Sequence, residues 1–143
     1  MRADLAFVRA IEEHLSELRS TTLSMVKSMS RDIGVSDDVT KLPRVTLIYE
    51  GSTRAADSCR RNERLVNIEL VVYDTTNDSD AFSGLFAEIQ KIGENPGLIA
   101  SRMPTGTSCS EVSIEDNSQI QEKPLLWSDR LFLVASVSSN RES

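Results

Sequence analysis

Apolar residues recur along this chain with two different periods, and the switches between them mark out the elements. Over residues 3–29, Leu5, Val8, Ile11, Leu15 and Leu18 fall three or four positions apart, which places them on one stripe of a helix. Val26 and Met29 continue the spacing past a Ser20-Thr21-Thr22 stretch, while Arg9, Glu12, Glu13 and Glu17 take the opposite, solvated face. Residues 30–43 hold Gly34, Ser36, Asp37, Asp38 and Pro43 and predict a connection. RVTLIYE, residues 44–50, has the β-branched and aromatic content of a strand. The polar residues 51–62 predict a long hairpin loop. RLVNIELVVYD, residues 64–74, is the clearest strand. Val66, Ile68, Leu70 and Val72 alternate onto one face, and Leu65, Asn67, Glu69, Val71 and Tyr73 onto a half-polar other face.

The period then returns to that of a helix. Asp78 or Ser79 can cap it, Phe82, Leu85, Phe86, Ile89 and Ile92 form its stripe, and Gly93 ends it. Pro96, Gly97, Pro104 and Gly106 make 94–106 a loop. Val112 and Ile114 mark a short strand over 110–115. Residues 117–124 are polar, and 127–138 alternate cleanly, with Leu131, Leu133, Ala135 and Val137 on one face. The tail 139–143 is expected to fray. The predicted order is α-β-β-α-β-β. It implies an α+β fold in which an antiparallel or mixed sheet of about four strands carries two helices on one face. At 143 residues the chain fits one domain, 1–143.

Composition narrows the class. With 39% hydrophobic and 27% charged residues the chain is of ordinary globular make-up. A net charge of −6 and a pI near 4.8 argue against sequence-independent duplex binding, which needs a basic footprint, and against docking on anionic lipid. No apolar run approaches the ~20 residues that span a bilayer, and the amino terminus, interrupted by Arg9, Glu12 and Glu13, is not a signal-peptide core. Cys59 and Cys109 lie 50 positions apart and read as free thiols of a cytoplasmic protein.

Candidate chemistry is sparse. His14 is the single histidine, so a Cys/His zinc site cannot be filled without carboxylates. No HExxH, CxxC, EF-hand, Walker or GxGxxG pattern occurs. Cys59 sits beside Arg60 and Arg61, which lower a thiol pKa, yet its only possible histidine partner is the distant His14. Catalysis, cofactors and metals are therefore not expected. Arg54, Arg60, Arg61 and Arg64 stand out from the acidic background. They read either as a contact surface for phosphate or an acidic partner, or as a solvated hairpin tip compensated by Asp57 and Glu63. Leu65, Val71 and Tyr73 are the further interface candidates, because a neighbour could cover their half-apolar face.

Four segments carry a family resemblance over roughly residues 3–138: an amphipathic helix ending before LPRVTLIYEG, the strand RLVNIELVVYDT, the helix SDAFSGLFAEIQKIG directly after it, and the closing strand WSDRLFLVASV. In this layout the chain resembles the tail terminator, or tail-completion, proteins of tailed bacteriophages; other phage neck and head–tail joining proteins share parts of it. The resemblance implies a virion protein, assembled in the host cytoplasm, that forms a ring, commonly a hexamer. Such a ring binds the last ring of tail tube protein, stops polymerisation and meets a neck or connector protein. DNA would pass through the lumen without specific binding. A small nucleic-acid-binding module using the arginine loop is the reading of a different class, which the net charge opposes.

Overall fold

The computed structural model describes residues 2–31, 41–57 and 61–140. In chain order the elements are α1 (Ala3–Leu18), β1 (Ser28–Ser30), β2 (Arg44–Asp57), β3 (Arg61–Asp74), α2 (Asp80–Glu94), α3 (Gly97–Ala100), β4 (Thr107–Lys123) and β5 (Leu126–Asn140). The predicted α+β class holds. One mixed sheet runs β1-β2-β3-β5-β4; β1 is parallel to β2 and every other pairing is antiparallel.

Helix α1 is shorter than predicted. It stops at Leu18, where Ser20 and Thr21 turn their hydroxyls onto the carbonyls of Glu17 and Leu18, the local competition that makes these residues poor in helix interiors. The chain then turns back, held by Arg19, whose guanidinium donates to Val26 O (3.1 Å) and Lys27 O (2.8 Å). Met29 thus lies in a three-residue edge strand and not in a helix. The buried stripe also shifts: Phe7, Val8, Ile11 and Leu15 are fully buried with Ala3, Ala6 and Ala10, whereas Leu5 is 41% exposed.

The two hairpins are longer than their hydrophobic patterns. Residues 51–57, expected in a loop, continue β2, and β3 begins at Arg61. Gly51, at φ +112°, sits at a register shift, a conformation natural to glycine, and the strand re-pairs beyond it. On the other side β4 runs on to Lys123, with register shifts at Cys109/Glu111, Ile114/Asp116 and Gln121/Lys123. Residues 115–121 are exposed on an edge strand, so no apolar alternation marks them. Ser139 and Asn140, expected to fray, pair with Asn62 and Arg61.

Helix α2 forms as predicted, with the Ser79 side chain accepting from Phe82 N at 3.3 Å. It passes Gly93 and ends at Glu94. The glycine answers to packing: a Cβ there would stand 3.0 Å from Val112 O of β4. The 94–106 connection contains the single turn α3. The main core lies between the helices and one sheet face, and it includes Val66, Ile68, Leu70 and Val72 as predicted. A second, smaller cluster of Leu42, Val71, Tyr73 and Leu126, with Ile48 packed against it, lies on the opposite face. Each fully buried aliphatic contributes about 1.5–3 kcal/mol by leaving water.

Candidate interaction surfaces

Three surfaces collect the polar chemistry. The first is the outer end of the β2–β3 hairpin. Arg54 stands directly opposite Arg64 in the ladder and is exposed; Arg61 opens β3, while Arg60 and Cys59 lie outside the described residues. Arg64 is tied into the fold, its Nε donating to Ser52 Oγ at 2.8 Å. Ser52 Oγ in turn donates to Asp4 Oδ2 at 3.2 Å. Asp4, at the start of α1, is fully buried and also accepts from the Tyr49 hydroxyl and from Arg2 (Nη2 2.7 Å, Nε 3.1 Å). Burial pushes the Asp4 carboxyl up, but the bonds from Tyr49, Arg2 and the Leu5 backbone outweigh it and hold the pKa below the ordinary value of 3.8. A buried charge satisfied in this way locks α1 onto the hairpin.

The second surface is the helix-free face of the sheet. Of the apolar candidates, Leu65 is exposed (37%), but Val71 and Tyr73 are 0% and 2% exposed. Leu42 and Leu126 cover them from within the chain, and the Arg44 guanidinium lies 4.9 Å from the Tyr73 ring centroid. The expectation that a neighbour could cover this part of the face is thereby corrected for Val71 and Tyr73. Beside them a charge ladder crosses the sheet. Arg130 of β5 donates to Glu69 of β3 (2.6 Å) and to Glu122 of β4 (3.0 Å), and Ser128 Oγ donates to Glu122 at 2.8 Å. That hydroxyl and the arginine hold Glu122 below the usual carboxylate range against the effect of burial. On β2, Glu50 has the opposite environment: a shared hydrogen bond with Glu69, partial burial and repulsion from that carboxylate raise its pKa. The ladder therefore ends in an exposed carboxylate set against another.

The third surface is a groove of about 530 Å³ between α1, β1 and β2, lined by Glu12, Glu13, Ser16, Glu17, Met29 and Leu47. Glu12 is held bidentately by Arg31 (2.5 Å for each bond), and Glu17 accepts from Arg102. His14, on the same helix, is half-buried, and its Nδ1 finds no hydrogen-bond partner among the described residues. Burial, with Arg102 nearby, pushes its pKa below 6.5 despite Glu88 and Glu17, so it is neutral at pH 7. Cys109 is a buried free thiol whose pKa burial pushes up to about 11, which makes it unreactive. Among the described residues no cluster of three His, Cys, Asp or Glu is placed to hold a metal, and no helix is long and apolar enough to cross a membrane.

Sequence reasoning singled out Arg64 and Leu65 but missed Asp4, Tyr49, Glu69, Glu122 and Arg130. A signal existed for two of them: Glu69 is the one charge within the run from Leu65 to Tyr73 of β3, Arg130 is a charge of β5 beside its apolar alternation, and the pairing of the strands puts them on the same face.

No protein-family model matches the chain, and no curated protein matches it. Among solved structures the fold is similar to that of a chain in the structure titled "Virion of native gene transfer agent (GTA) particle". The TM-score is 0.56 at 12% sequence identity, over 85% of this chain and 84% of that one. At that identity the likeness concerns the fold.

Proposed function

We propose that the protein is a structural subunit of a phage-like virion, and within it a tail terminator: a ring, six subunits in the family it resembles, that caps the tail tube, stops its polymerisation and joins the tail to the neck. The observation that carries this reading is the fold similarity to a chain of the gene transfer agent particle, which extends over most of both chains and agrees with the layout of elements read from the sequence. The molecule suits assembly better than catalysis. Polar groups are spent on structure: Asp4 fixes a helix to a hairpin, and Arg130 bridges strands. Its flanks differ from one another, with arginines at one end of the hairpin and carboxylates across the helix-free face, as a head-to-tail ring contact requires. The net charge of −6 suits a conduit through which DNA slides by like-charge repulsion.

The test is the mass of the purified protein by light scattering at several concentrations, alone and with its candidate tail tube partner. A closed assembly of about six, formed alone or only with the tube partner, supports the terminator. A particle that binds the neck protein and ignores the tube indicates another head–tail joining component. A monomer under all conditions removes the ring. Retention on DNA that falls steeply with salt would favour the nucleic-acid module instead.

A further inference from the structure

We propose that the cavity between the start of α2 and strands β4 and β5 is a binding site for an organic cation, a guanidinium or ammonium group, with the Asp129 carboxylate as its anchor. The inference does not depend on the assembly reading.

The cavity measures about 240 Å³, and its lining includes Asp78 and Ser79 ahead of α2, Phe82 within it, Asn117 and Gln119 of β4, and Asp129 of β5. Asp129 and Ser79 are each 4% exposed, whereas Asp78, Asn117 and Gln119 are exposed. The Asp129 carboxylate therefore sits at the floor, beneath a polar rim. It accepts one hydrogen bond, from Gln119 Nε2 at 2.9 Å. Among the described residues its second oxygen accepts none, and it forms no ion pair. Burial, with repulsion from Asp74 of β3, raises its pKa against the effect of the Gln119 bond. Asp4 provides the contrast. It is as deeply buried, but Tyr49, Ser52 and Arg2 satisfy it and hold its pKa down. Buried carboxylates are ordinarily paired in that way. Asp129 has no such partner and lines open space instead.

The lining decides the sign of the ligand. Two carboxylates, Asp78 and Asp129, line the cavity, and no lysine or arginine does. The start of α2 would by itself favour an anion. Its Ser79 hydroxyl is already engaged, however, donating to Asp74 Oδ2 at 2.9 Å and accepting from Phe82 N at 3.3 Å. A ligand must therefore bring both donors and positive charge. No set of three His, Cys, Asp or Glu stands ready for a metal among the described residues. One buried carboxylate beside side-chain amides suits a hydrogen-bonding cation better than a metal ion that needs six or more oxygens. The half-buried Phe82 supplies an apolar wall for the stem of such a group, or a ring face for its charge.

The experiment titrates the full chain with N-acetyl-arginine amide, N-acetyl-lysine amide and the uncharged citrulline analogue, following by NMR the Gln119 side-chain amide and the backbone around the cavity. The expected result is saturable shifts centred there for the two cations and not for citrulline. Asp129→Asn should weaken binding on the order of tenfold or more, because it removes the charged partner of a desolvated pair. Ser83→Phe, at an exposed lining position, leaves the carboxylate in place and should block binding as well. Thermal midpoints serve as the folding control, and Asp129→Asn should not lower the midpoint, since the charge it removes has no ion-pair partner. If Asp129→Asn also weakens association of the chain with itself or with the tube partner, the cation is a neighbour's side chain. If association is unchanged while the probe binds, the ligand is a free small cation. No localised shift with either cation, equal binding of the citrulline analogue, or unaltered affinity in Asp129→Asn overturns the proposal. A response to calcium alone overturns it too.

Discussion

At the scale of single residues, the most consequential group is one that a hydropathy reading passes over. Asp4 sits in the first turn of α1 and is fully buried, where an unpaired carboxylate would be strongly unfavourable. Its side-chain partners come from two places: Arg2 beside it, and Tyr49 and Ser52 on β2. Removing one donor leaves the charge under-satisfied, so Tyr49→Phe should cost about 1.5–3 kcal/mol, the range for hydrogen bonds to charged groups, measured by denaturant titration. The same site sets a pH dependence. Asp4 has a folded pKa below its ordinary 3.8, so its stabilisation is complete above about pH 5 and is lost as pH falls through that range to the folded value. Tyr49→Phe should therefore narrow the stability difference between pH 6 and pH 3; an unchanged difference would mean that the hydroxyl does not hold the carboxylate ionised. None of this was legible beforehand, because the pairing spans 45 positions and an aspartate before an apolar run looks like any first-turn acid. Arg64 was legible as a cation in an acidic chain, but its anchor on Ser52 was not.

At the scale of elements, the sequence was readable wherever one face is buried and silent wherever both are wet. Helix α2 and strand β3 came through nearly intact because their apolar residues line the main core. The outer parts of β2 and β4 did not: residues 115–121 are exposed, so their strand character comes from the backbone ladder with β5 and leaves no periodic trace. Strand β1 was mistaken for helix because Val26 and Met29 happen to keep the α1 spacing. Gly93 was taken for a helix end, but the geometry gives it a different role. In an exposed helix, Gly→Ala gains up to about 1 kcal/mol. Here the added Cβ meets a backbone carbonyl, Val112 O, at 3.0 Å, and relieving that contact means moving α2 off β4. Gly93→Ala should destabilise by a net of about 1 kcal/mol, since overpacking typically costs 1–3 kcal/mol. Gly84→Ala meets a Leu23 methyl at 3.1 Å, the end of a buried side chain and not backbone, and should cost less. Equal midpoints for the two variants in urea would remove the close-approach account.

At the scale of the whole molecule, the two faces of the sheet divide the labour. The helix-covered face holds the fold together, and the other is closed by its own residues over one half. That division separates two kinds of effect. Tyr73→Ala opens the small cluster beneath Leu42 and Leu126 and removes the ring under Arg44. It should lower monomer stability by about 3 kcal/mol or more, as large-to-small aromatic changes do, whereas Leu65→Ala, on the open half, should change stability little. The central pairing makes a further demand. Strand β3 from the first half of the chain pairs along its whole length, Arg61 to Asp74, with β5 from the second half, and one core cluster includes residues from Ala3 to Val137. Each half supplies a hairpin, and the two hairpins share one sheet and one core. Dilute protein should therefore unfold in a single calorimetric transition, with a heat-capacity increment of roughly 2 kcal/mol/K for a chain of 143 residues at ~12–15 cal/mol/K per residue. Two resolved transitions would mean that the hairpins melt separately and that β3–β5 is not the seam the pairing suggests. Assembly adds a signature of its own. A state that binds further copies only when folded is stabilised by mass action, so the midpoint should climb as protein concentration is raised above the association range.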